Sequence, residues 1–281
     1  EQVKEARRLA FASGNSDSIS AALLCEQSLA LATGRFDDSI EAMQKQLAAI
    51  GTAPSPVRSL LLVLLGYAES GRAGMDRAGI DRALAALDIA RPECDDTQRL
   101  RVDLKRFDLA LRRGHLELAE DIRRSCESRI GAAVSGNEMT RDGEEFWTLC
   151  ARLALARGAD CRDDELAAAR QSQRAVLASI GSEWARQPAQ RSGIGFLQHG
   201  RRREALAAGI GLELAVATRE GRADGPEQAM QLVVDLHART SLARAREAGT
   251  CSVKDIQAQL PRGGAVLAVV STREISYLFL V

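Results

Sequence analysis

The chain has 281 residues, 46% apolar, 27% charged and only 4% aromatic, and its 38 basic and 38 acidic side chains cancel to zero net charge. That balance argues against a wholly basic nucleic-acid binder and against an acidic tail. So few aromatics disfavour a sandwich or barrel and favour an Ala/Leu-packed helical architecture.

Read in chain order, the sequence repeats a signature: Gly at a helix end, an apolar residue, a small residue, then an apolar helical stripe. The clearest instance is Gly34-Arg35-Phe36-Asp37-Asp38-Ser39-Ile40-Glu41-Ala42-Met43. Its apolar positions Phe36, Ile40, Met43, Leu47 and Ile50 share one face at helical period. A second runs from Gly114 through Leu116, Ala119, Ile122, Cys126 and Ile130. A third runs from Gly200 through Ala205, Leu206, Ile210 and Leu214. Gly71 and Gly158 mark two looser instances, and the five glycines stand 37, 43, 44 and 42 residues apart.

An amphipathic helix is predicted before each glycine. Over residues 97–113 the stripe is Leu100, Leu104, Phe107 and Leu111, and Asp95, Asp96 and Thr97 offer N-caps. The predicted unit is helix, tight Gly turn, helix, repeated about five times. Neither helix of such a hairpin buries its apolar face alone, so neighbouring hairpins stack into a superhelix. The turn uses Gly because a helix end commonly takes a left-handed conformation. Small residues Ser39, Ala119 and Ala205 are expected where helices approach closely.

From about residue 251 the pattern changes. Ser252-Val253-Lys254-Asp255 reads as a capping box opening a short helix through Leu260, and Pro261-Arg262-Gly263-Gly264 breaks it. Two apolar runs follow, Ala265–Val270 and Ile275–Val281, joined by Ser271-Thr272-Arg273-Glu274, which is a strand–turn–strand signal. Both runs are nearly continuous in apolar residues, so both faces are expected to be buried, as in a sheet covered by helices. A lone hairpin is marginally stable and exposes aggregation-prone edges, which implies that it opens a larger α/β domain.

The segment from Gly34 to Leu47 resembles the second-helix pattern of tetratricopeptide repeats, with Ser39 in place of the usual Ala. The spacing exceeds that family's thirty-four residues, and its Trp–Leu–Gly–Tyr first-helix pattern is missing. The later order of elements is repeats, a long helix from Pro226 to about Glu247, a capped short helix ending Leu260-Pro261, the Gly-Gly break and a Val-Leu-Ala-Val-Val…Tyr-Leu-Phe-Leu-Val hairpin. This order resembles the junction between such repeats and a CHAT domain, a caspase-like cysteine peptidase module. The expected fold is thus mostly α: a tetratricopeptide-like superhelix over 1–250, and over 251–281 the start of a CHAT-like α/β domain.

The resemblance implies a His/Cys dyad in which an imidazole activates a thiolate that attacks a scissile carbonyl. No position in this sequence matches either motif, so no catalytic residue is assigned, and no cofactor or metal is expected. The implied role is regulatory, with an activator or substrate protein in the repeat groove controlling proteolysis in bacterial defence or stress. The rest of the CHAT domain, in the same or a separate chain, is the other implied partner. The alternative reading is a non-enzymatic adaptor or sensor joined to another effector domain. A transcription regulator is a third, but no helix-turn-helix signal is visible.

Other residue types bear on chemistry. Only Lys4, Lys45, Lys105 and Lys254 are lysines, leaving 34 of the 38 cations as arginines, which fits GC-rich coding. The six cysteines (Cys25, Cys94, Cys126, Cys150, Cys161 and Cys251) form no CxxC pair, and most sit in helical patterns, where free Cys packs as a small apolar residue. With no signal peptide and no long apolar span, the chain reads as cytosolic, with reduced thiols and no membrane partner. It begins at Glu1, without Met and already in helix-like sequence, so the N-terminus reads as trimmed. Cys126 with His115 lacks any nucleophile signature. Cys150 and Cys161 with Asp160, Asp163 and Asp164 fit no zinc spacing. Arg201-Arg202-Arg203 is read as a solvated helix start. Gly263-Gly264 precedes a strand and is no dinucleotide loop. Phe146 and Trp147 are read as core, and His199 and His237 carry no motif.

Overall fold

A computed structural model describes residues 2–74, 76–131, 139–186, 195–241, 252–260, 267–272 and 275–280. Among them the chain forms twelve α-helices followed by one two-stranded antiparallel hairpin. Its packing divides it into two compact units, Glu1–Arg129 and Ile130–Val281. The boundary expected at residue 250 lies outside the described residues, and the hairpin belongs to the second unit.

The first unit contains α1 (Gln2–Ser13), α2 (Ser16–Thr33), α3 (Phe36–Ile50), α4 (Pro56–Ala73), α5 (Arg77–Ala90) and α6 (Asp96–Arg113), with α7 (Leu116–Gly131) running to its end. Side chains start several of these helices, at Asp95 as the sequence predicts. Ser55 accepts from Arg58 N–H ahead of Pro56, Asp76 from Gly79 N–H and Asp95 from Gln98 N–H. Glycines end them. At Gly114, with φ +80°, His115 N–H donates to Ala110 and Gly114 N–H to Leu111, a Schellman closure.

Gly34 and Gly158 also have positive φ, as expected. Gly71 does not make a turn. It lies inside α4, where an added Cβ would stand 2.5 Å from the Phe36 ring, and the left-handed residue is Gly74, with φ +53°. The glycines with positive φ among the described residues are 14, 34, 51, 74, 114, 158 and 221. The sequence signal at Gly71 came from close packing against Phe36, since Gly serves both needs.

From α1 to α6 consecutive helices pack together, as do α2 with α4 and α4 with α6. Contact between next-but-one helices is what stacked hairpins require. The predicted stripes face this interior. Ile40 and Met43 are buried with Leu23, Leu61 and Leu64, and Phe36, Leu47 and Ile50 pack against them. Leu104 and Phe107 of α6 are fully buried. Ser39 and Ala119 are buried as expected for close approach.

The second unit holds α8 (Arg141–Arg157), α9 (Asp163–Arg186), α10 (Gly195–Arg219), α11 (Gly225–Ser241) and α12 (Val253–Gln259), then β1 (Leu267–Ser271) and β2 (Ser276–Leu280). Again neighbours pack in order, and α8 meets α10 while α9 meets α11. Gly200 is a second correction: the turn predicted there is absent, because α10 runs unbroken from Gly195 through it. Ala205, Leu206 and Ile210 downstream are nevertheless buried. The helix expected to reach about Glu247 is described as far as Ser241.

The capping box is present, with Ser252 Oγ accepting from Asp255 N–H while Asp255 accepts from Ser252 N–H. Val253 N–H also donates to Gln231 Oε1 at 3.1 Å, which ties α12 to α11.

Candidate functional surfaces

The hairpin pairs Ala268 with Phe279, Val269 with Leu278 and Val270 with Tyr277. Paired residues share a face, so alternation sets Ala268, Val270, Tyr277 and Phe279 on one side and Val269, Leu278 and Leu280 on the other. The first side joins the core of α9, α10 and α11, where Val270 is 6% exposed. Gly211 of α10 admits the Tyr277 hydroxyl, which lies 2.8 Å from where a Cβ would stand, and burial raises the pKa of that phenol.

The second side is bare. Val269, Leu278 and Leu280 are 57%, 69% and 77% exposed. The expectation that both strand faces are buried therefore fails within this chain: one face is covered by helices and the other is an open apolar surface. Covering those three side chains would contribute roughly 3–6 kcal/mol, scaling 1.5–3 kcal/mol per fully buried aliphatic side chain by their exposure.

In the first unit α1 and α2 flank an open, mostly apolar groove of about 580 Å³, lined by Ala6, Leu9, Ala10, Ala21, Ala22 and Cys25. Small side chains dominate its walls, which lets another backbone approach closely.

The two least exposed carboxylates among the described residues are held by arginines. Asp103 of α6, 1% exposed, receives Arg91 Nε at 2.7 Å, Arg129 Nη2 at 2.6 Å and Arg106 Nη1 at 3.1 Å. Burial pushes its pKa up, but the hydrogen bonds from Arg91, Arg129 and Arg106 outweigh burial, and the net shift is downward. Glu213 of α10 is also 1% exposed and is gripped by Arg170 and Arg174 of α9, each through Nε and Nη2 at 2.7–2.8 Å. Burial again opposes and the arginines again win, so its pKa is lowered.

These two knots were not foreseen in the sequence. The usable signal was an acid inside an apolar stripe, Asp103 between Val102 and Leu104 and Glu213 between Leu212 and Leu214. Its arginine partners lie up to 43 residues away in sequence and carry no local mark.

Cys126 is fully buried and burial pushes its thiol up to about 11, the opposite of an activated nucleophile. Burial likewise raises the Cys94 and Cys161 thiols. His115 follows the Gly114 turn, and the side chains of His199 and His237 lie outside the described residues. Cys25, Cys94, Cys126, Cys150 and Cys161 are free thiols.

No group of three or more His, Cys, Asp or Glu able to hold a metal occurs among the described residues. The Cys161 region is a helix start: Arg219 donates to the Cys161 and Gly158 carbonyls and pairs with Asp163. Arg202 lies within α10, half-buried, and burial lowers its pKa, while Arg203 is exposed, so the triplet is no uniformly solvated helix start. Phe146 is fully buried, edge-to-face with Trp147 at 5.0 Å, and Trp147 packs on the second unit's core. Gly263 and Gly264 lie outside the described residues.

No family model, curated protein or solved structure matches this chain. Among the described residues, no helix is long and apolar enough to cross a membrane.

Proposed function

We propose that this chain is the regulatory, protein-binding repeat region of a CHAT-type caspase-like cysteine peptidase, acting in the cytoplasm in bacterial defence or stress. The observation that carries the reading is the half-covered hairpin. Its inner face is fixed to α10 through Val270, Tyr277 and Phe279, while Val269, Leu278 and Leu280 offer an apolar face of the kind a further α/β layer covers. In this reading the helices form a tetratricopeptide-like superhelix, favoured by the next-but-one packing of α2–α4–α6, α8–α10 and α9–α11. An activator or substrate protein occupies its groove, and the hairpin is the rigid joint between that event and the peptidase. Binding controls proteolysis only through different affinity for the inactive and active arrangements.

The second reading is a non-enzymatic adaptor or sensor, in which the open hairpin face of Val269, Leu278 and Leu280 meets a different effector domain. One experiment separates the two: the intact mass of the native gene product, with sequencing of the reading frame beyond Val281. A following α/β segment with paired His and Cys, whose Cys→Ala variant loses cleavage of a protein substrate and keeps its helical circular dichroism, supports the peptidase. A product ending near Val281, or a following phosphate loop, overturns it and leaves the adaptor.

A further inference from the structure

Between α9 and α11 lies a cleft of about 260 Å³, lined by Arg174, Leu177 and Ala178 on one side and Gln228, Gln231, Leu232 and Asp235 on the other. Positions 228, 231, 232 and 235 follow i, i+3, i+4 and i+7, so they form one continuous face of α11, about 10 Å long at 1.5 Å per residue. The floor is aliphatic, from Leu177 and Leu232.

The cleft wall carries one positive and one negative side chain, Arg174 and Asp235. Glu213 carries one negative charge and is held by two guanidinium groups, so Arg170, Arg174 and Glu213 together leave one positive charge in excess. Arg174 is the member of that trio that lines the cleft. Its Nε and Nη2 engage Glu213 Oε1, and the planar fork retains further N–H donors on the half-exposed side chain. Asp235 faces the same cleft, accepts from Gln231 Nε2 at 2.7 Å, and makes no ion pair among the described residues. Gln231 in turn is anchored through Oε1 to Val253 N–H, which holds the acidic end in place. One cavity thus presents a guanidinium and a carboxylate, separated by more than ion-pair distance across an aliphatic floor.

We propose that this cleft binds a small zwitterion of the amino-acid class, its carboxylate on Arg174, its ammonium on Asp235 and its aliphatic stem over Leu177 and Leu232. The volume lies just below the ~300–1,000 Å³ of pockets for drug-sized ligands, which suits a single amino-acid-sized molecule. Desolvating either charge alone is costly, so the site prefers a ligand that supplies both partners over one that supplies either. This inference concerns a small effector and stands whether or not a peptidase follows the repeats.

The test is titration calorimetry of the whole chain with 6-aminohexanoate, hexanoate and hexylammonium as probes. The zwitterion should bind at least tenfold more tightly than either singly charged analogue. Asp235→Asn should reduce the zwitterion to the level of hexanoate without changing the melting temperature, because Asp235 is exposed. Asp235→Lys should reverse the preference, so that adipate, which carries a carboxylate at each end, becomes the better ligand. Equal binding of the zwitterion and hexanoate, binding unaffected by either variant, or no heat from any probe would overturn the proposal.

Discussion

Replacing Glu213 with Gln tests whether the buried charge knot of the second unit stabilises the fold. The side chain is 1% exposed, and two guanidinium groups each place two nitrogens within 2.8 Å of its oxygens. Gln keeps the shape and one acceptor but turns an amide N–H₂ towards a cation. Removing one partner of a fully buried ion pair costs about 3–5 kcal/mol, because an uncompensated charge is left behind. Here Arg170 and Arg174 are 24% and 48% exposed and can turn partly to water, so a loss of about 2–3 kcal/mol is expected. In a unit of this size that corresponds to a fall in Tm of roughly 4–12 °C.

The sign with pH follows from linkage. Glu213 has a lower pKa folded than its ordinary 4.5, so its contribution is complete above that value and is lost as pH falls through the folded one. Melting curves of both proteins by circular dichroism, at neutral pH and in acid, should therefore differ most at neutrality and converge below pH 4.5. A Tm change under 1 °C at neutrality, or a gap that does not narrow in acid, refutes the reasoning.

Gly114→Ala should cost about 1–2 kcal/mol from its left-handed backbone alone, since open space surrounds a Cβ there. Gly71→Ala should cost about 1–3 kcal/mol by overpacking against Phe36, and pairing it with Phe36→Leu should recover part of that loss in urea denaturation, whereas the same second change leaves Gly114→Ala unrescued. Cys126, buried with its thiol pushed up to about 11, should resist iodoacetamide at pH 8 in the folded protein and react once the protein unfolds, as read by mass spectrometry. Ser252→Ala should remove about 1 kcal/mol by deleting the capping box, seen as faster hydrogen exchange over residues 253–259. Leu278→Lys should leave Tm within about 0.5 kcal/mol of equivalent stability, since exposed positions tolerate polar change, whereas Val270→Lys should unseat the hairpin.

Much of the helical pattern was legible because helix signals are local. The stripe from Phe36 to Ile50 needs only its own spacing to announce a buried face, and Asp95 and Ser252 announce helix starts within three residues of the groups they bond. Gly71 misled for a physical reason. A glycine is selected for positive φ and for close packing alike, and one sequence does not say which. Gly71 serves a neighbouring ring, and Gly74, three residues on, serves the turn. The charge knots were invisible because they join α6 to α7 and α9 to α10, and a lone acid in an apolar stripe names no partner.

The hairpin separates composition from topology. Near-continuous apolar strands ordinarily mean two buried faces, and the composition of β1 and β2 predicts that outcome. Pairing then makes the two faces unequal, because Val270, Tyr277 and Phe279 reach the helices while Val269, Leu278 and Leu280 cannot. Sequence alternation within one strand is polar against apolar only when water is the second environment. Here both sets are largely apolar, with Ser271 and Ser276 at the turn end of the open one. Strand composition thus gives the open face its apolar chemistry, and the pairing register identifies the side chains that stay uncovered. Neither could be had from the other: the run of aliphatic residues is visible in sequence, but which alternate half of it stays uncovered is fixed only when Val270 and Tyr277 seat together on α10.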